Sequence, residues 1–135
     1  MSSQRDGGLR GLFKRHLPDL MWVPVETWMV TGPGVPDSWY VARGGASGWV
    51  EHKQEKRAVT AEQSAFVDQV TRYGGRACVA VRFSEGDELR MYRGSDAQEL
   101  ARLGVRGYVV VAPWGHWVGG PRRWDWVEVR ELLTL

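Results

Sequence analysis

The sequence predicts a single domain of the α/β (α+β) class, in which helices flank a mixed β-sheet. Two β-prone runs, residues 39–42 and 48–53, are joined by a glycine-bearing loop, which favours an antiparallel hairpin. A helical pattern over residues 60–73 then leads to the apolar run 77–83, which is short enough to be a buried strand. A helix between two strands of one sheet makes a crossover, and 135 residues with 43% hydrophobic content suffice for one core.

Before the hairpin, the sequence predicts one helix and one strand. Residues 9–17 place their apolar side chains at helical spacing, and Pro18 ends that pattern. Residues 25–30 alternate in character until the turn sequence at 31–34, so we expect the first strand there.

After the hairpin, the predicted elements begin with the crossover helix. Thr60 and Gln63 have the spacing of a capping box, and a pair of glycines ends the helix after Tyr73. The remaining elements are a short strand at 89–92, a helix at 95–103 capped by Ser95 or Asp96, a strand at 108–112 and a last helix from Asp125 to residue 133. We expect residues 1–95 to form the core of the domain and residues 96–135 an extension packed on it, whose Trp-rich tail covers the core.

Composition argues against several classes of protein. No stretch approaches the roughly 18 apolar residues of a membrane-spanning helix. The polar start of the chain lacks the apolar segment of a secretory signal, so we expect a cytoplasmic protein. Cys78 is the single cysteine, which excludes an internal disulfide and predicts a small buried side chain. The net charge of +2 is too small to identify a polyanionic partner.

Three residues carry candidate chemistry. Strand side chains alternate between faces, so Glu51 and Lys53 point to one face of their strand, and Asp37 follows a Gly-Val-Pro turn between the first two strands. Two carboxylates suit Mg²⁺ when waters and phosphate oxygens complete its shell, and a lysine can stabilise charge on a phosphate. From spacing alone a second interpretation stays open, in which Glu51 and Lys53 form a surface pair and Asp37 is a turn residue.

Crowding of these acids has an electrostatic consequence. Without a cation, Asp37 and Glu51, together with Glu26 from the preceding strand, would place several negative charges side by side. We therefore expect the pKa of each acid to be raised in the metal-free protein.

Five short motifs stand in a fixed order along the chain. They are V-E at 25–26, G-V-P-D at 34–37, G-W-V-E-H-K at 48–53, V-T-A-E-Q at 59–63 and G-G-R-A-C-V at 74–79. Together they resemble the PD-(D/E)xK nuclease superfamily, in particular the stand-alone VRR-NUC nucleases that are common in bacteriophages and similar in fold to Holliday-junction resolvases. The resemblance covers residues 9–93 and implies a restriction-endonuclease-like αβββαβ core with its active site at one edge of the sheet.

The resemblance also implies roles for individual residues. Asp37 and Glu51 match metal-binding acids for Mg²⁺ or Mn²⁺, and Lys53 and Gln63 match further catalytic positions. Glu26 matches an acid upstream of the turn and is either another metal ligand or a carboxylate on the strand surface. The helical phase of Gln63, shared with Phe66, Val67, Val70 and Tyr73, favours a position facing the sheet.

The chain departs from this family at His52, because the middle residue of the E-x-K motif is usually apolar. Strand alternation places His52 on the face opposite Glu51, where packing or a hydrogen bond is expected rather than metal binding.

The implied function is hydrolysis of DNA phosphodiester bonds by an endonuclease that acts on branched or phage DNA. Arg57, Arg72 and Arg76, near the ends of the crossover helix, are the candidates for phosphate contacts. The resemblance further suggests a homodimer, a phage protein partner and residence in the bacterial host cytoplasm or on the virion.

Two other functions remain as alternatives. One is a non-catalytic nucleic-acid-binding or virion-associated protein that keeps the nuclease fold, and the other is a protein-interaction module built around the Trp-rich tail. The complete set of Asp37, Glu51 and Lys53 argues against the first, because a lost activity would place no demand on the lysine.

Overall fold

In the computed structural model, which describes residues 6–25 and 34–135, six strands form one mixed sheet between two layers of helices. The strands are β1 (Met21–Pro24), β2 (Ser38–Val41), β3 (Ser47–Gln54), β4 (Ala77–Phe83), β5 (Glu88–Arg93) and β6 (Gly115–Trp117). The helices are α1 (Leu9–His16), α2 (Ala61–Arg72), α3 (Ala97–Leu103), α4 (Gly107–Val110) and α5 (Trp126–Thr134). The order from α1 to β4 is the predicted αβββαβ, so the predicted fold class is confirmed.

The strands lie in the sheet in the order in which they occur along the chain. The pair β3 and β4 is parallel, because α2 carries the chain back between them, and the other pairs are antiparallel. The predicted hairpin of β2 and β3 and the predicted crossover are therefore confirmed. In the parallel pair, Glu51 lies beside Val79 and Lys53 beside Val81.

Each face of the sheet packs against its own helices. One face, which carries His52, packs against α1 and α5 in a core that includes Phe13, Val50, Cys78, Met91 and Val129. The other face, which carries Glu51 and Lys53, is covered by α2, α3 and α4. On that side Trp49 contacts Phe66 of α2, and Val79 and Val81 join Leu100 and Tyr108 in a second core. The charged pair of β3 is thus set in an apolar layer.

Side-chain caps begin two of the helices. The hydroxyl of Thr60 accepts a hydrogen bond from the backbone N–H of Gln63, whose side chain accepts one in return from the Thr60 N–H, so the predicted capping box is confirmed. Asp125 caps α5 through the N–H of Glu128, as predicted. The predicted cap of α3 is wrong: Asp96 makes no capping hydrogen bond, and a 3₁₀ turn at Gly94–Asp96 leads into the helix instead.

Two predicted strands need correction. The strand expected at 108–112 is wrong, because Gly107–Val110 is helical; Tyr108 enters the core there, and its hydroxyl donates to the carbonyl of Arg57 at 2.6 Å. The first strand occupies Met21–Pro24, earlier than the predicted 25–30. Residues 26–30 of that prediction lie outside the described residues.

The Trp-rich tail covers the core, as predicted. Trp117 and Trp124 are buried, and the indole N–H of Trp124 donates to the carbonyl of Asp87 at 3.0 Å. The division into a core of residues 1–95 and an extension of residues 96–135 stays a prediction. Within the described part of the chain, no helix is long and apolar enough to span a membrane.

We predict that Gly94→Ala will destabilise the protein by about 1–3 kcal/mol, because it overpacks the contact between α2 and the sheet. A Cβ atom at Gly94 would lie 2.2 Å from the hydroxyl of Thr71 and 2.7 Å from the carbonyl of Ala77. Urea unfolding measures the change. The control is Gly11→Ala on the exposed side of α1, where the new Cβ has no atom within 4 Å apart from the adjacent residues and the helix's own backbone, and it should be neutral or stabilising by up to about 1 kcal/mol. Equal stability of the two variants would contradict the tight packing.

Candidate functional site

Glu51 and Lys53 are buried side by side on the α2 face of β3. Glu51 is 6% exposed and Lys53 is 9% exposed, and 3.9 Å separates the lysine Nζ from the Glu51 Oε2. Their shared face confirms the strand alternation that the sequence predicts. Burial rules out the alternative of a surface pair, since neither side chain lies in open solvent.

The turn before β2 holds Asp37 against β3. Gly34 has a φ of +93°, and a Cβ there would lie 2.4 Å from the carbonyl oxygen of Glu62 at the start of α2. Only glycine permits both this backbone conformation and this close approach. Because Ser38 pairs with Val50 across the hairpin, the preceding residue, Asp37, lies level with Glu51. A hydrogen bond from the Asp37 backbone stabilises the Glu51 carboxylate.

Both carboxylate oxygens of Asp37 accept hydrogen bonds. Oδ1 accepts from the Ser38 hydroxyl at 2.9 Å and lies 2.8 Å from the His52 ring nitrogen Nδ1. Oδ2 accepts from the backbone N–H of His52 at 3.1 Å. The Asp37 side chain keeps 23% of its surface exposed, so it remains accessible from solvent. His52 itself points to the α1 face, as the alternation predicts.

Burial and crowding raise the pKa of Glu51 to about 8. Loss of solvent is the largest cause, and the charges of Asp37 and Asp6 add to it, while Lys53 and the Asp37 backbone act in the opposite sense. Burial also lowers the pKa of Lys53, with Arg57 contributing, although Glu51 and Asp37 oppose the change.

Asp37 does not follow the expectation that every acid of the site has a raised pKa. Burial raises its pKa, but the charge of His52 and the hydrogen bonds from His52 and Ser38 outweigh burial, so the net change is downward. The expectation is wrong for Asp37 because the sequence did not indicate that His52 would contact it. In the metal-free protein at neutral pH, Asp37 is therefore ionised while Glu51 holds a proton.

These residues fit a divalent cation of the Mg²⁺ type. Burial is the largest cause of the raised pKa of Glu51, but the charge of Asp37 adds to it, and a cation bound by both carboxylates would oppose that repulsion. Residues 6–25 and 34–135 contain no group of three or more His, Cys, Asp or Glu side chains that could hold a metal. Two carboxylates, with water and phosphate oxygens completing the shell, are a donor set that Mg²⁺ accepts and Zn²⁺ does not favour.

Asp6 also acts on the site, although no sequence motif pointed to it. Its side chain is 5% exposed and accepts hydrogen bonds from the N–H groups of Gly8 and Arg10 at the start of α1. Its charge contributes to the raised pKa of Glu51. The sequence does place Asp6 just ahead of an apolar helical pattern, and an acid at such a position is typical of helix caps.

The remaining residues that the sequence assigns to the site or to its helix face are Gln63, Tyr73 and Glu26. Gln63 is half-buried, and its side-chain oxygen is engaged in the capping box, so a catalytic role for it stays a prediction. Tyr73 does not share an inward face with Gln63, since it is 84% exposed at the end of α2. Glu26 lies outside the described residues.

The three candidate arginines differ in their availability for phosphate. Arg72 pairs with Asp68 at 2.8 Å, and Arg76 donates from Nε to the carbonyl of Leu135 at 2.7 Å. Arg57 is exposed in the loop after β3, and its charge acts on Lys53. Of the three, Arg57 is therefore the arginine whose charge acts on a residue of the candidate site.

The raised pKa of Glu51 predicts how stability depends on pH. Between its ordinary value of 4.5 and about 8, the folded metal-free protein keeps a proton that the unfolded chain has released. Stability should therefore fall as pH rises through this window, by up to roughly 1.4 kcal/mol per pH unit. Glu51→Gln removes this contribution, so it should gain stability relative to the wild type between about pH 5 and about pH 9.

Urea unfolding in EDTA across this range measures the difference. Glu131→Gln, which changes an exposed glutamate of α5, is the control for removal of a negative charge far from the site. A constant difference between Glu51→Gln and the wild type at all pH values would contradict the raised pKa.

No family model matches the chain, and neither does any curated protein. Among solved structures it is similar to Hjc, a Holliday junction resolvase from the archaeal hyperthermophile Archaeoglobus fulgidus. The sequences are 18% identical, the match covers 73% of this chain and 95% of that one, and the TM-score is 0.47. At that level of likeness, it is this chain's own residues that indicate its function.

Proposed function

We propose that the protein is a metal-dependent nuclease that hydrolyses DNA phosphodiester bonds with Mg²⁺ or Mn²⁺. One observation carries the proposal: Glu51 and Lys53 are buried on one face of β3, and Asp37 lies against the same strand. A buried acid and lysine cost free energy that an apolar pair would not, so they need a reason to be there. Hydrolysis of a phosphodiester supplies that reason.

Asp37 and Glu51 would hold the cation between them. A bound divalent ion polarises a phosphate oxygen and lowers the pKa of a water ligand. Asp37 is ionised before any cation arrives, because its pKa is lowered, whereas Glu51 must release its proton to become a ligand. Cation binding should therefore be favoured as pH rises towards 8, the pKa of Glu51.

Lys53 would act on the phosphate rather than on the cation. Its ammonium lies 3.9 Å from Glu51, and it can donate hydrogen bonds to a phosphate oxygen or orient the attacking water. The neighbouring Val79 and Val81 exclude water from this side of the sheet, which strengthens the attraction between the ammonium and the phosphate.

Positive charge for binding DNA lies beside the site. Lys56 and Arg57 are exposed in the loop that follows β3, three and four residues after Lys53. Contacts with phosphates carry no sequence information and depend on salt, so this loop would hold DNA of any sequence against the site.

Branched DNA is the substrate class that we propose, with endonucleolytic cutting. The support is the resemblance of the motif series to the VRR-NUC branch of the PD-(D/E)xK nucleases and, through it, to Holliday-junction resolvases. Bacteriophage origin, a homodimer, a phage protein partner, and residence in the host cytoplasm or on a virion rest on the same resemblance and stay predictions.

We predict that the purified protein will cut four-way junction or plasmid DNA in Mn²⁺ or Mg²⁺ and will stop in EDTA. Asp37→Asn and Lys53→Ala should each lower the cleavage rate by at least about 100-fold, because each removes a group that stabilises charge at the phosphate. Lys14→Ala, which removes an exposed lysine from α1, is the matched control and should cut at the wild-type rate. Gel assays with labelled junctions measure all four proteins.

Two outcomes would contradict the proposal. Cutting by Asp37→Asn and Lys53→Ala at the wild-type rate would mean that these residues are structural. Binding of DNA without cutting in either metal would favour the non-catalytic alternative.

We also predict that DNA binding in Ca²⁺ will weaken steeply with salt and that Arg57→Ala will lower the salt dependence. Loss of one phosphate contact should reduce the slope of log K against log salt by about 0.9 on duplex DNA. Fluorescence anisotropy over a range of salt concentrations measures the slope. Arg102→Ala, which removes an exposed arginine paired with Glu99 on α3, is the control and should leave the slope unchanged. An unchanged slope for Arg57→Ala would remove Arg57 from the binding surface.

A further inference from the structure

His52 is the point at which this chain departs from the motif that it otherwise resembles, and its ring contacts one of the two candidate ligands. We propose that His52 is a positioning residue, which fixes the Asp37 carboxylate in the orientation with which it binds a divalent cation. This inference rests on the proposed function and adds to the metal site a residue outside the set Asp37, Glu51 and Lys53.

His52 holds Asp37 by both of its carboxylate oxygens. The ring nitrogen Nδ1 is 2.8 Å from Oδ1, and the backbone N–H of the same residue donates to Oδ2 at 3.1 Å. A carboxylate held at both oxygens by one residue cannot rotate freely about its Cβ–Cγ bond. Each carboxylate oxygen has two acceptor positions, so Oδ2, with one described hydrogen bond, keeps a position for a cation.

The core on the α1 face fixes the ring of His52. Its side chain is fully buried, and the ring packs edge-to-face on Phe13 with centroids 4.7 Å apart and an interplanar angle of 82°. Trp22 of β1 also lies near the His52 ring, with ring centroids 6.4 Å apart. The position of the Asp37 carboxylate is therefore tied to a rigid part of the fold rather than to its own turn.

Packing alone does not explain a histidine here. The second ring nitrogen, Nε2, is buried and has no hydrogen-bond partner among the residues that the structure describes. An unpartnered polar atom in a core is unfavourable, and a phenylalanine would fill the same space without it. The favourable polar contact of this ring is with Asp37. The imidazole therefore holds Asp37 in place, although its buried Nε2 destabilises the core.

Two substitutions separate positioning from packing. His52→Phe keeps an aromatic ring against Phe13 but removes the donor to Asp37. His52→Asn keeps a nitrogen donor on Cγ, at the place of Nδ1, but removes most of the ring. If His52 acts by positioning, metal affinity follows the donor; if it acts by packing, metal affinity follows the ring.

The test is Mn²⁺ binding by isothermal titration calorimetry on the full chain, without DNA, together with melting temperatures in EDTA. We expect His52→Phe to stay folded, with an aromatic ring against Phe13, and to bind Mn²⁺ at least about 10-fold more weakly, the usual loss when a partner of a metal ligand is removed. We expect His52→Asn to melt lower but to stay within about threefold of the wild-type affinity, well short of that loss.

A double-substitution cycle covers the case in which His52→Asn does not fold. On an Asp37→Asn background, His52→Phe should cause no further loss of Mn²⁺ affinity, since the group that it positions is already changed. Wild-type affinity in His52→Phe, or an additive loss in the double variant, would overturn the inference. If the wild-type protein neither binds Mn²⁺ nor cuts DNA, the proposed function is overturned as well. If the wild-type protein cuts DNA and His52→Phe keeps the wild-type Mn²⁺ affinity, only the positioning role is overturned.

Discussion

The buried carboxyl group of Glu51 is the constraint on which the arrangement of the site depends. It lies in the apolar layer between β3 and α2, where an isolated charge would be expensive, and its pKa rises to about 8 as a result. The groups around it reduce that cost in different ways. Lys53 offers an ammonium at 3.9 Å, and the Asp37 backbone donates a hydrogen bond. A divalent cation would balance the remaining negative charge of the carboxylates, and in phosphodiester hydrolysis the same cation would act on the phosphate.

Asp37 and Glu51 differ in character, because they are supported from opposite faces of the sheet. Glu51 is stabilised as a neutral acid by the apolar layer under α2, whereas Asp37 is stabilised as an anion by His52 and Ser38. His52 belongs to the core beneath α1 through its contact with Phe13. The two helical layers therefore act on one site through β3. A change in the packing of either layer should alter the pKa values of Asp37 and Glu51.

Local periodicity in the sequence predicts several parts of this arrangement. Alternation along β3 placed Glu51 and Lys53 together and His52 opposite, and the capping box located the start of α2. Local periodicity does not reveal the contact of Asp37 with His52, because that contact joins residues 15 positions apart through a turn whose path is set by packing of Gly34 on Glu62. The valine-rich segment at 108–112 was predicted as a strand from β propensity. It is helical because Tyr108 gains a place in the core and a hydrogen bond to Arg57, which local propensity cannot reveal.

Binding of one divalent cation by Asp37 and Glu51 is tested most directly by an anomalous difference map from crystals grown with Mn²⁺. We predict one strong peak within bonding distance of both carboxylates, and its loss in Asp37→Asn crystals. Crystals that contain Mn²⁺ but show no peak at these carboxylates, or a peak bound elsewhere on the chain, would contradict it.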